Sequence, residues 1–128
     1  MMDYVWLIGR VLLSLIFIAS GIGHLRNLRH TSQIAAAAGM PAPVLMGALA
    51  SLLALLGGLS FAAGYRVEIG AILILLFLLP VTFTLHAFWK YPDAMERANH
   101  QAHFMKNVAL IGGALVVFFH GAGPLSLG

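Results

Sequence analysis

Four apolar segments of about 20 residues each constrain this chain more than any other feature. They run from Tyr4 to Leu25, Val44 to Gly64, Val67 to Trp89 and Phe104 to Gly123. At ~1.5 Å per residue, each reaches across the ~30 Å hydrocarbon core of a bilayer. No water is available there to satisfy an open backbone, so each segment must be a helix. The expected fold is all-α: a polytopic membrane four-helix bundle, one transmembrane domain over residues 1–128. The chain is 61% hydrophobic and 9% charged, where soluble domains carry about 25% charged residues. The first segment is too long for a cleaved signal peptide, and Met1-Met2-Asp3-Tyr4 opens without a positive charge, so it is read as a retained span.

The connections differ in character. Between spans one and two, Thr31 or Ser32 can cap a short surface helix through Ala38. Gly39, Pro41 and Pro43 then end it. Spans two and three are joined by a tight turn, Gly64-Tyr65-Arg66. Before span four, Tyr91-Pro92-Asp93 reads as a turn leading into a helix start. Arg26, Arg29, Lys90, Arg97 and Lys106 lie on the side of the two longer loops, while Arg66 and Arg10 lie toward the other. The positive-inside rule therefore places both longer loops in the cytoplasm and both termini outside, in a bacterial-type inner membrane.

Two negatives narrow the chemistry. The chain has no cysteine, which excludes thiol nucleophiles, disulfide exchange and cysteine-ligated iron–sulfur clusters within it. Its seven Lys and Arg residues are scattered at span ends, with no stripe or arm of the kind that binds nucleic acid. Membrane lipid is the expected surrounding.

Ionisable groups at membrane depth are costly, so each needs a reason. At the outer end stand Arg10, Arg66, Glu68 and His120. Arg10 and Glu68 can form a structural ion pair between spans; alternatively Arg66 pairs locally with Glu68 and Arg10 snorkels to the headgroups. At the inner end stand His24, His86, His100, His103, Lys106 and Asn107, with Trp89 beside them. His24 continues a face through Arg10, Ser14, Phe17 and Gly21. His86 and Trp89 are three apart, with Thr82 one turn below His86, and His103 and Asn107 are four apart. At helical spacing these positions converge on one pocket.

His24, His86, Trp89, Lys106 and Asn107 suit a quinone head group, which is flat and apolar with two carbonyl oxygens that need donors. Histidine can also move the protons that accompany quinone reduction. Each residue also has a plainer role, Trp89 as a belt anchor and Lys106 as a headgroup contact. His86, His100 and His103 lack the acidic or thiolate partner of common metal sites. The histidines also lie too near the span ends for a bis-histidine haem, so no metal is assigned. Small residues stripe span two at Gly47, Ser51, Ala54, Gly58 and Ala62, which allows close helix packing and permits homo-oligomers. Pro80 frees the carbonyl of Leu76 and bends span three.

GRVLLSLIFIASGIGHL at Gly9–Leu25, GMPAP at Gly39–Pro43, LLGGLSFAAGYR at Leu55–Arg66, LHAFW at Leu85–Trp89 and FMKNVALIGGAL at Phe104–Leu115 occur in an order that resembles the DoxX-like small integral membrane proteins. The resemblance implies four membrane helices and a redox setting, since the family's namesake is similar to a small subunit of a quinone-linked oxidoreductase. It carries over Arg10, His86, Trp89, Lys106 and Asn107. Many relatives hold a glutamate where this chain has Ala54, which puts shared proton or charge chemistry in doubt. Three readings follow: a quinone-interacting membrane subunit with an oxidoreductase partner, a non-catalytic adaptor for a redox or stress-response complex, and a small transporter.

Overall fold

The computed structural model describes residues 2–128. It is all-helical: α1 (Met2–Arg26), the short α2 (Leu28–Ala37), α3 (Pro43–Ala63), α4 (Val67–Thr84) and α5 (Ala94–His120), with a 3₁₀ turn at Phe88–Lys90 between the last two. Four segments, with α4 running on through the 3₁₀ turn, are long and apolar enough to cross a membrane. The chain is a multi-pass membrane protein. α3 packs on α1 and on α4, and α5 on α4, while α2 lies across α3 beside the end of α1.

Small residues set these contacts. On α1 the buried stripe is Arg10, Ser14, Phe17 and Gly21. On α3 it is Gly47, Ser51, Ala54, Gly57, Gly58 and Phe61; Ala62, expected in the stripe, is only half-buried because the face turns toward Phe61. A Cβ on Gly21 would lie 2.7 Å from that of Leu55, and one on Gly58 2.9 Å from Ile18. Lipid offers no hydrophobic drive between helices, so this close approach supplies the packing energy. Ser14 and Ser51 satisfy their hydroxyls locally, donating to Val11 O and Gly47 O at 2.7 Å each.

Several helix boundaries are set by local capping and turn residues. α2 begins at Leu28 with Asn27 before it, so Thr31 and Ser32 lie inside the helix rather than capping it. Their hydroxyls bond backward, Ser32 to Leu28 O at 2.7 Å and Thr31 to His24 O at 3.0 Å. α5 begins at Ala94, where the Tyr91-Pro92-Asp93 turn predicts a helix start, and enters the apolar span already helical: Asp93 Oδ2 accepts from the Glu96 N–H at 3.1 Å. It also stops at His120, where Gly121 at φ +78° breaks the helix.

Residues 121–128 then fold back over the end where the chain starts. The Leu127 N–H donates to Ala63 O at 3.1 Å, and the Trp6 indole N–H to Ala122 O at 2.7 Å. Arg10, only 5% exposed, donates from Nη1 to Ala122 O at 2.7 Å and Pro124 O at 3.2 Å, and from Nη2 to Leu125 O at 2.7 Å. Arg10 is therefore not paired with Glu68, which lies exposed. Backbone carbonyls of the returning segment reach the guanidinium first and take the hydrogen bonds that a carboxylate was expected to supply.

Candidate functional site

At the opposite end, where the two longer loops lie, a cavity of about 770 Å³ opens between the inner halves of the helices. Every helix contributes to its lining. α1 gives Ile16, Phe17 and His24; α2, with Ala38 just past its end, gives Thr31, Ile34, Ala35 and Ala38; α3 gives Gly47 and Ser51. α4 and the segment after it give Phe77, Leu78, His86, Lys90 and Tyr91, and α5 gives His100, His103, Lys106, Asn107 and Leu110. Apolar residues form the depth of the cavity, and the polar ones gather at the loop end.

Each polar side chain arrives by a local device. His24 sits in the last turn of α1, where Thr31 Oγ1 lies 3.5 Å from its Nδ1 and ties α2 to the site. α4 contains Pro80 and ends at Thr84. Leu85 and His86 then form a turn, so His86 is carried on irregular backbone over the mouth of the cavity. Asp93 starts α5 early enough to bring His100 and His103 opposite it. His86 Nδ1 lies 3.3 Å from His100 Nδ1, and the His103 ring stacks on His86 at 4.9 Å. Tyr91 stacks on His100 at 4.0 Å and 11°. Two facing Nδ1 atoms at that distance need one proton between them, so one ring donates and the other accepts. Among the described residues, no three His, Cys, Asp or Glu side chains are arranged to hold a metal ion.

One turn deeper, Asn107 is 4% exposed and lines the cavity. No hydrogen bond from its side-chain amide to another described residue is formed within the bundle, so its amide is available to whatever fills the space. Lys106 adds three donors beside it.

His24, His86, Lys106 and Asn107 thus share one cavity, as helical spacing predicts. Trp89 does not belong to it. Because α4 ends at Thr84, His86 and Trp89 do not share an α-helical face. Trp89 instead packs against Phe88 at 5.3 Å and Phe104 at 5.7 Å and is 48% exposed. Thr82, expected one turn below His86, is buried with its hydroxyl unpartnered and lies outside the lining. Tyr91 and the α2 wall are contributions that sequence reasoning missed. For α2 a signal was present: Thr31, Ile34, Ala35 and Ala38 recur at helical spacing. Ala54 is fully buried in α3 and also lies outside the cavity lining.

The DoxX family profile matches residues 5–87. The chain belongs to the DoxX family. It is 31% identical over 121 residues to the inner membrane protein YqjF of Escherichia coli, covering 94% of this chain and 87% of that protein. It is 34% identical over 76 residues to the ER-derived vesicles protein ERV29 of Saccharomyces cerevisiae, covering 59% of this chain but only 24% of the yeast protein. No solved structure matches the chain.

Proposed function

We propose that this DoxX-family protein is a quinone-interacting membrane subunit of a redox system in a bacterial inner membrane. Its loops face the cytoplasm, and its cavity seats the quinone head group. The observation that carries this reading is the pairing of an apolar cavity of about 770 Å³ with the uncommitted amide of buried Asn107. A quinone ring fits between apolar walls, and its carbonyl oxygens take hydrogen bonds from Asn107, from Lys106 and from the histidines around His86. The His86–His100 contact gives a route for protons between the loop side and the ring. The inner-membrane setting rests on the similarity to the Escherichia coli protein and on the positive charges of the two loops.

The test is chemical. Detergent-purified protein is extracted with organic solvent and the extract is examined for quinone by mass spectrometry. Near-stoichiometric quinone that is lost in His86→Ala and Asn107→Leu supports the site. Trace lipid alone, or quinone retained by both variants, removes it.

A second reading, a non-catalytic adaptor, is favoured by α5. Only 11% of its most apolar window is buried, against 22–33% in the other three spans. That leaves Met105, Val108, Leu115, Val116 and Phe119 facing outward, toward lipid, an oxidoreductase partner or a second copy of the chain. Site-directed crosslinking from Val116 in membranes separates these: a discrete adduct supports the adaptor, and lipid-only products oppose it.

A further inference from the structure

The charges around the cavity are one-sided. Lys90 and Lys106 line it, together with His24, His86, His100 and His103. The chain has four carboxylates, Asp3, Glu68, Asp93 and Glu96, and none of them lines it. Asp93 is occupied as the cap of α5. His100 and His103 on α5 pack against the His86 ring, and Lys106 on α5 and Lys90 on the 3₁₀ turn line the same cavity, so no acidic group stands among them. Lys90 and Lys106 are exposed at the loop end of the cavity, and a neutral ligand head leaves them without a counter-charge there. A ligand bearing one negative charge on oxygen supplies that counter-charge and accepts several hydrogen bonds at once.

We infer that the cavity selects an anionic amphiphile: a ring or chain whose ionised oxygen meets Lys106, Asn107 and the histidines, and whose apolar body lies along Phe17, Phe77 and Leu110. This rests on the reading of the cavity as a ligand site, and it narrows the quinone class to members that carry an ionised hydroxyl on the ring. The same chemistry is offered by a single-chain carboxylate, so the head charge is common to both sources.

The experiment uses the full chain in a non-ionic detergent and two matched pairs of probes. One pair is 2-hydroxy-1,4-naphthoquinone, ionised at neutral pH, and its neutral methyl ether. The other is decanoate and its methyl ester. Affinity is read by calorimetry. The hydroxyquinone is expected to bind at least about tenfold more tightly than the ether, with the gap closing in Lys106→Gln. Circular dichroism and thermal unfolding establish that this variant is folded, and Lys90→Gln serves as the second variant if it is not. Equal binding of both quinones overturns the charge selection and leaves the quinone reading standing. Binding of decanoate over its ester, with neither quinone bound, keeps the charge selection and removes the quinone reading. If no probe binds, both fall.

Discussion

At the end where the termini meet, Arg10 donates three hydrogen bonds to the carbonyls of Ala122, Pro124 and Leu125, and the chain closes over it. At the loop end, Asn107 is as deeply buried as Arg10 but commits none of its side-chain donors within the fold. Both residues pay the desolvation cost of a polar group in an apolar bundle. Arg10 recovers most of it from the backbone of its own chain, with Nε alone left unpartnered. Asn107 takes no side-chain hydrogen bond within the fold and faces the cavity. The first pattern is that of a structural clasp and the second that of a binding site, although both residues lie on the same kind of apolar helix.

That contrast can be broken most forcefully at the clasp. Arg10→Met removes the three charge-assisted bonds, so it is expected to cost about 3 kcal/mol of stability. Thermal unfolding in detergent, followed by circular dichroism, measures it. Arg10→Lys keeps the charge but not the planar fork and should recover only part of the loss. An unchanged midpoint for Arg10→Met would mean that the returning segment contributes nothing to the bundle.

Gly123→Ala acts on the same clasp from the other side. Gly123 holds φ +74°, and a Cβ there would run into the Trp6 indole. A left-handed backbone that disfavours any side chain, added to that collision, is expected to cost roughly 1–3 kcal/mol and to expose the C-terminal segment to protease. Proteolysis timed against the parent protein reads this directly. The cavity affinity should stay as it was, because the two ends share no side chain.

The open end predicts the reverse pattern. Asn107→Leu exchanges an uncommitted buried amide for an apolar group of similar size. Its stability is expected to stay within about 1 kcal/mol of the parent, or to rise, while ligand affinity falls tenfold or more. Parallel melting curves and calorimetric titrations check both halves. A variant that is strongly destabilised would show that Asn107 belongs to the fold and not to the site.

How far this was legible in the sequence follows from range. The spans and the buried stripe through Arg10, Ser14, Phe17 and Gly21 were legible because helical periodicity is local and lipid forbids other spanning structures. The grouping of His24, His86, Lys106 and Asn107 was legible for the same reason, since all four lie at one end of their spans. Arg10's partners were not. They sit on backbone more than 110 residues away along the chain, and a carbonyl leaves no mark on a sequence pattern. Trp89 was misplaced because a continuous α4 was assumed, whereas Pro80 and the early stop at Thr84 put a turn at His86. The start of α5 was legible in Tyr91-Pro92-Asp93, where Asp93 caps the helix, although its first turns are polar and hydropathy alone marks only the part from Phe104.

The smallest expected effect falls on Trp89 and sharpens the boundary of the site. Its ring contacts are edge-on, to Phe88 and Phe104, and its 48% exposure leaves it at the bundle surface. Phe83 joins the same cluster through Phe104 at 5.6 Å, so a phenylalanine at 89 would keep most of the aromatic packing. Trp89→Phe is therefore expected to shift stability by no more than about 0.5–1 kcal/mol and to leave ligand affinity within twofold of the parent. A belt role predicts a different loss, in how firmly the loop end is held at the membrane interface. Tryptophan fluorescence with depth-graded lipid quenchers, comparing the parent with Trp6→Phe so that Trp89 is the sole reporter, would locate the ring. Quenching from the headgroup level places Trp89 among the anchors. Quenching by a cavity ligand but not by lipid would move it back into the site and erase the boundary drawn at Thr84.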